Sequence, residues 1–87
     1  MELKETATMM ASKNYKERFK AEYYQTEIRL KKLRDTIEKA KHGTLDFQIT
    51  CPLELLKMQE HRMAQYLSIL KIRAAIEEVG VEGGATE

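Results

Sequence analysis

The chain has no tryptophan, one proline, one cysteine and almost no surplus of charge. Each scarcity excludes something. A lone thiol, Cys51, rules out an internal disulfide and suits a reducing compartment. No apolar run approaches the ~18 residues that a membrane span needs. The opening MELKETATMMASK lacks the apolar centre of a secretory signal, so a cytoplasmic protein is expected. The 15 basic and 14 acidic residues leave a net charge of +1. A general DNA or RNA binder would carry a clear basic excess, although a local cationic pocket for a small anion remains compatible with this balance. Also missing are HExxH, CxxC, GxSxG and a phosphate-binding GxxxxGK[ST] loop. His42 and His61 stand far apart, and the carboxylates are scattered over polar faces. No enzyme, metal site or cofactor is therefore expected. Cys51 reads as a small half-buried residue at a helix start.

What is present is helical periodicity. Eighty-seven residues allow one domain at most, and a chain this small buries only roughly 60% of the surface its unfolded form exposes. Residues 1–12 show no sustained period and read as a flexible tail or a short helix that orders on a partner. Asn14, with Glu17 three residues on, resembles a helix start with a capping box. Phe19, Tyr23, Thr26, Leu30, Leu33, Ile37 and Ala40 then follow at alternating spacings of four and three, a heptad seam. Gly43 ends this helix, expected over 15–42. The connector TLDFQIT alternates Leu45, Phe47 and Ile49 with polar residues. It reads as an extended loop whose apolar side chains plug the open end of a helix pair, in preference to a lone strand. Pro52 suits the first position of a second helix, with Cys51 as its cap, running to about Val79. Residues 80–87 carry three of the four glycines and are expected to fray.

The second helix has two apolar stripes where one would serve a simple pair. One is Leu53, Leu56, Glu60, Met63, Leu67, Leu70 and Ala74; the other is Leu55, Met58, Arg62, Tyr66, Ile69, Ile72 and Ile76. The first suits packing on helix 1. The second, through Leu55, Met58, Tyr66, Ile69, Ile72 and Ile76, suits a second copy of the chain. The expected architecture is all-α: an antiparallel two-helix hairpin over 13–79 with a short N-terminal segment, assembled as a homo-oligomeric helical bundle.

Three of the four tyrosines lie in NYKERFKAEYYQTEIRLKKL, residues 14–33. Tyr23 falls on the seam and reads as core, as does Tyr66 in helix 2; Tyr24 sits on the seam's flank. Tyr15 stands at the helix start beside Lys13, Lys16 and Arg18. An aromatic there can stack on a base while cations and backbone amides take phosphates, though the residues alone favour a hydrophobic staple or a plain surface residue. Arg29, Lys31, Lys32 and Arg34 form a basic cluster, most of which pairs with Glu27, Asp35 or Glu38 at helical spacing, Arg34 with Glu38 among them. Arg73 has Glu77 four residues on.

The strings NYKERFKAEYYQTEIRLKKL, TCPLELLKMQ and MAQYLSILKIRAAIE resemble a group of small two-helix proteins of tailed phages, over residues 13–77. More distantly the layout is similar to the phage anti-CBASS sponges, helical hexamers that sequester cyclic di- and trinucleotide immune signals without cleaving them. Their first helix opens with Tyr, a basic residue and Glu, matched by Tyr15, Lys16 and Glu17. It later carries Arg-apolar-Lys-x-Leu, matched by Arg29, Leu30, Lys31 and Leu33. The resemblance assigns base stacking to Tyr15, phosphate contact to Lys31 and, through the string Arg73-Ala74-Ala75-Ile76, a cyclic-trinucleotide contact to Arg73. The Tyr-to-Lys gap is one residue longer here, which turns Lys31 by about 100° relative to Tyr15. What this implies is a cyclic-nucleotide binder in the host cytoplasm that bears on neither DNA, RNA nor membrane. The rival reading is a phage protein-interaction module that grips a host protein through the second apolar stripe.

Overall fold

The computed structural model describes residues 1–81, and these form three helices and no strand: α1 (Leu3–Met10), α2 (Tyr15–Lys41) and α3 (Leu53–Ile76). The Asn14 side chain caps α2 by accepting the Lys16 backbone N–H at 2.8 Å. The reciprocal Glu contact of a capping box appears instead at α1, where Glu5 accepts the Glu2 N–H at 2.6 Å. At the other end of α2, Gly43 adopts φ +70°, a left-handed conformation that costs glycine least. The Thr44 and Gly43 amides then reach back to the carbonyls of Lys39 and Ala40, closing the helix with a paired turn.

The α2 seam faces the core. Phe19, Tyr23, Leu30 and Ile37 are buried, and Thr26, Leu33 and Ala40 are half-buried. From α3, Leu67, Leu70 and Ala74 meet them, with Met63 and Ala64 alongside. The start of α2 lies beside the end of α3, through Tyr15 and Glu77, and its middle lies beside the middle of α3, through Arg34 and Glu60. Arg34 thus pairs across helices at 2.8 Å and not with Glu38, which accepts His42 instead.

A second face of α2 receives α1. Thr6 and Ala21 are both fully enclosed. The Thr6 hydroxyl donates to the Leu3 carbonyl at 2.6 Å and accepts from the Gln25 amide at 3.2 Å. A buried hydroxyl bonded on both sides avoids the cost of an unsatisfied polar group.

Two boundaries depart from expectation. Pro52 is the cap of α3 and not its first helical residue, with ψ 142° holding it outside the helix. At the C-terminus α3 stops at Ile76, before Val79 and Gly80. Glu78 takes φ +57°, and the Val79 N–H bonds the Ala74 carbonyl at 2.8 Å. The reason is burial: Val79 folds back into the core, and Val81 packs against it. The remainder of the expected frayed tail, residues 82–87, lies outside the described residues. In the connector, Leu45 and Ile49 are half-buried, but Phe47 is 57% exposed and does not plug the helix pair. It borders instead an open apolar hollow of about 280 Å³ with Leu33, Ile49, Cys51 and Leu56.

Candidate functional site

The turn after Ile76 carries Glu77 and Glu78 over the first turn of α2, and a polar clasp forms there. The Tyr15 hydroxyl donates to Glu77 Oε1 at 2.6 Å. Arg73 Nη2 donates to the same hydroxyl oxygen at 2.9 Å, and Arg73 Nε to Glu77 Oε2 at 3.1 Å. Three side chains thus form a closed ring of hydrogen bonds. Beneath them the Phe19 ring serves as a floor: the guanidinium carbon of Arg73 stands 4.9 Å from its centroid, and the Tyr15 ring tilts against it at 6.2 Å. Lys16 Nζ reaches the Glu78 carbonyl at 3.4 Å, and Arg18 Nη1 holds the Ser12 carbonyl at 2.8 Å. Tyr15 remains 48% exposed, so solvent and solutes reach the clasp.

The ring shifts each member's ionisation in the direction its partners dictate. The hydrogen bond from Tyr15 holds the Glu77 carboxyl below its ordinary value, with Arg73 assisting and desolvation opposing. The same hydrogen bond raises the Tyr15 phenol, and desolvation and the Glu77 charge add to it while Arg73 opposes. Arg73 is held more firmly protonated, chiefly by Glu77. The result is a phenol that donates and a guanidinium that stays cationic around one carboxylate.

Of the four residues expected to meet a ligand, the fold brings Tyr15, Lys16 and Arg73 to this one end. Lys31 is elsewhere. It sits 16 residues beyond Tyr15 on the same helix, which is about 24 Å along the axis and roughly 160° around it. It is exposed and has no ion-pair partner among the described residues. Neither pairing expected for Lys31, with Glu27 or with Asp35, is formed, and Asp35 instead binds Lys39 at 3.2 Å. Sequence reasoning recognised the Arg73–Glu77 pair but not the link from Glu77 to Tyr15, 62 residues away. It also placed Phe19 in the core without seeing that its ring floors the clasp.

The six residues of the second α3 stripe are all exposed: Leu55, Met58, Tyr66, Ile69, Ile72 and Ile76, the last at 75%; Tyr66 is therefore not part of this chain's core as expected, because its stripe faces away from α2. No group of His, Cys, Asp and Glu able to hold a metal occurs among the described residues. None of the described helices is long and apolar enough to cross a membrane.

Comparison with curated proteins and with solved structures finds no match. A model of the Sequestin family matches residues 13–76, a span that contains Tyr15, Lys16, Lys31, Arg73 and both α3 stripes and ends one residue before Glu77. With most of its length matched in this way, the chain belongs to the Sequestin family.

Proposed function

We propose that this is a phage anti-defence protein that sequesters a cyclic oligonucleotide immune signal in the host cytoplasm without cleaving it. The observation that carries the reading is the Sequestin match across residues 13–76, a family whose name denotes sequestration. The chemistry supports it. Tyr15 offers an exposed aromatic ring, and Arg73 and Lys16 offer cations beside it. Stacking contributes ~1–3 kcal/mol per base, and each charge-assisted hydrogen bond ~1.5–3 kcal/mol. A few of each reach nanomolar affinity after association costs. Capture of this kind is stoichiometric and asks for no catalyst or cofactor.

In this reading two chains build one site. Lys31 stands too far from Tyr15 to share a nucleotide within one chain, so a neighbouring copy supplies it. The copies are antiparallel hairpins of α2 and α3 that assemble through Leu55, Met58, Tyr66, Ile69, Ile72 and Ile76, with a hexamer as the assembly the sponge resemblance implies. The exposed stripe also favours a second reading: a protein-interaction module that covers the same face with a host protein.

Native mass spectrometry of the purified protein, alone and with cyclic di- and trinucleotides, tests the choice. A discrete oligomer that gains ligand masses at fixed stoichiometry is expected. Tyr15→Ala or Lys31→Glu should then abolish the added mass and leave the assembly intact. A clean oligomer that ignores every nucleotide would overturn sequestration of these signals. Release of a host protein by Ile69→Glu or Ile72→Glu, with no nucleotide effect, would establish the interaction module.

A further inference from the structure

Glu77 has no role in the proposed capture and falls outside the span matched to the family. Yet its carboxylate occupies the position in the clasp where an anion fits best. One oxygen accepts the Tyr15 hydroxyl at 2.6 Å and the other accepts Arg73 Nε at 3.1 Å. Two oxygens on one atom, one toward a phenol and one toward a guanidinium, is also how a phosphodiester presents its two free oxygens. We infer that Glu77 is a resident competitor for the ligand's phosphate: it occupies Tyr15 and Arg73 in the unliganded protein and must swing out before a phosphodiester binds there. The inference rests on the sequestration reading.

Three further observations bear on it. The clasp is open to solvent, so Glu77 leaves without disturbing the core. Arg73 has a second anchor, the Phe19 ring at 4.9 Å, which holds the guanidinium in place once the carboxylate departs. Glu77 is also followed by Glu78 at φ +57°, a left-handed conformation that a residue with a Cβ adopts at a cost. The turn that delivers the carboxylate leads directly into Val79, which is buried and whose N–H bonds the Ala74 carbonyl.

The consequence is selectivity. An intramolecular carboxylate has a high effective concentration, so a ligand with a single weak anionic contact does not displace it. A ligand that brings a second phosphate, and a base for Tyr15, does. Glu77 therefore raises the apparent Kd of every phosphate ligand by one common factor, the reciprocal of the fraction of chains in which the clasp is open, so that only ligands with further contacts are still captured. It leaves ligands without a phosphate unaffected.

Calorimetric titrations of the wild-type protein, Glu77→Gln and Arg73→Ala with cyclic di-AMP, cyclic tri-AMP and adenosine test this. Glutamine keeps the shape of the clasp and removes its charge. At least one cyclic nucleotide should bind Glu77→Gln roughly ten-fold more tightly than wild type, as expected when a mostly closed site is opened. Adenosine should show no change, and Arg73→Ala should lose the gain when combined with Glu77→Gln. Wild-type binding that Glu77→Gln leaves equal or weaker would overturn the inference alone. Absence of binding by wild type and both variants would overturn the inference together with the sequestration reading. Because glutamine also alters the helix end, Glu77→Ala provides a second variant, and it should reproduce the tighter binding.

Discussion

The two faces of α3 are built from the same kinds of residue and meet opposite fates. Leu67, Leu70 and Ala74 are buried against α2, whereas Ile69, Ile72 and Ile76, on adjacent positions of the same turns, stand 54%, 61% and 75% exposed. Hydrophobicity therefore does not decide which face folds the chain. Register does: only the first stripe lies opposite Phe19, Tyr23 and Leu30. A row of large aliphatic side chains in water is costly to maintain, at about 25 cal/mol per Å² of apolar surface left uncovered. The buried stripe holds the chain together, and the exposed one is the face proposed above for a second copy.

The sharpest way to break this comparison is to mutate one residue on each face. Leu70→Ala removes a fully enclosed side chain and should cost ~2–5 kcal/mol in chemical denaturation. Ile72→Ala should leave the folding of a diluted chain within about 0.5 kcal/mol of wild type. Equal losses would mean that both faces serve the single chain. Ile69→Glu sharpens the other half: light scattering should show the oligomer reduced to single chains with the helical circular dichroism retained. An unchanged mass would remove this stripe from the assembly.

A smaller effect of opposite sign is expected at the end of α3. Glu78→Gly relieves a left-handed residue and should stabilise the fold by about 1 kcal/mol in the same denaturation assay. The smallest effect concerns pH. Glu77 is depressed, so its contribution to stability is present above the ordinary carboxylate range and is lost as pH falls through its lowered value. Tyr15 is raised, so its contribution is present below the ordinary phenol range and is lost as pH rises through its elevated value. Tyr15→Phe should therefore move the Glu77 carboxyl upward in an NMR titration and flatten the stability profile at both ends.

Much of this was legible in the chain. The heptad spacing of α2 announces its buried seam, and the double stripe of α3 separates its two faces, because both follow from the helical period alone. The helix α1 was legible only as one of two readings, a flexible tail or a short helix: eight residues give barely two turns, and its buried contact is a threonine, which no apolar pattern marks. Nor was the end of α3. Gly80 looks like the natural stop, but the pull of Val79 into the core places the reversal at Glu78. The clasp was half visible. Arg73 and Glu77 are neighbours on one helix, while Tyr15 reaches them only after tertiary packing.

The docking of α1 has a consequence for the way the molecule breathes. None of its residues belongs to the core cluster, and a helix of eight residues lies well below the ~12–15 that persist unaided in water. Its attachment includes the hydrogen bond from Gln25 to the buried Thr6, with Leu3 and Met9 only half-buried beside it. It should therefore open as a separate unit, below the threshold for global unfolding. In hydrogen exchange, the amides of Leu3–Met10 should exchange earlier than those around Tyr23 and Leu70. Each such opening would release the Gln25 amide from Thr6 while the α2–α3 core remains closed.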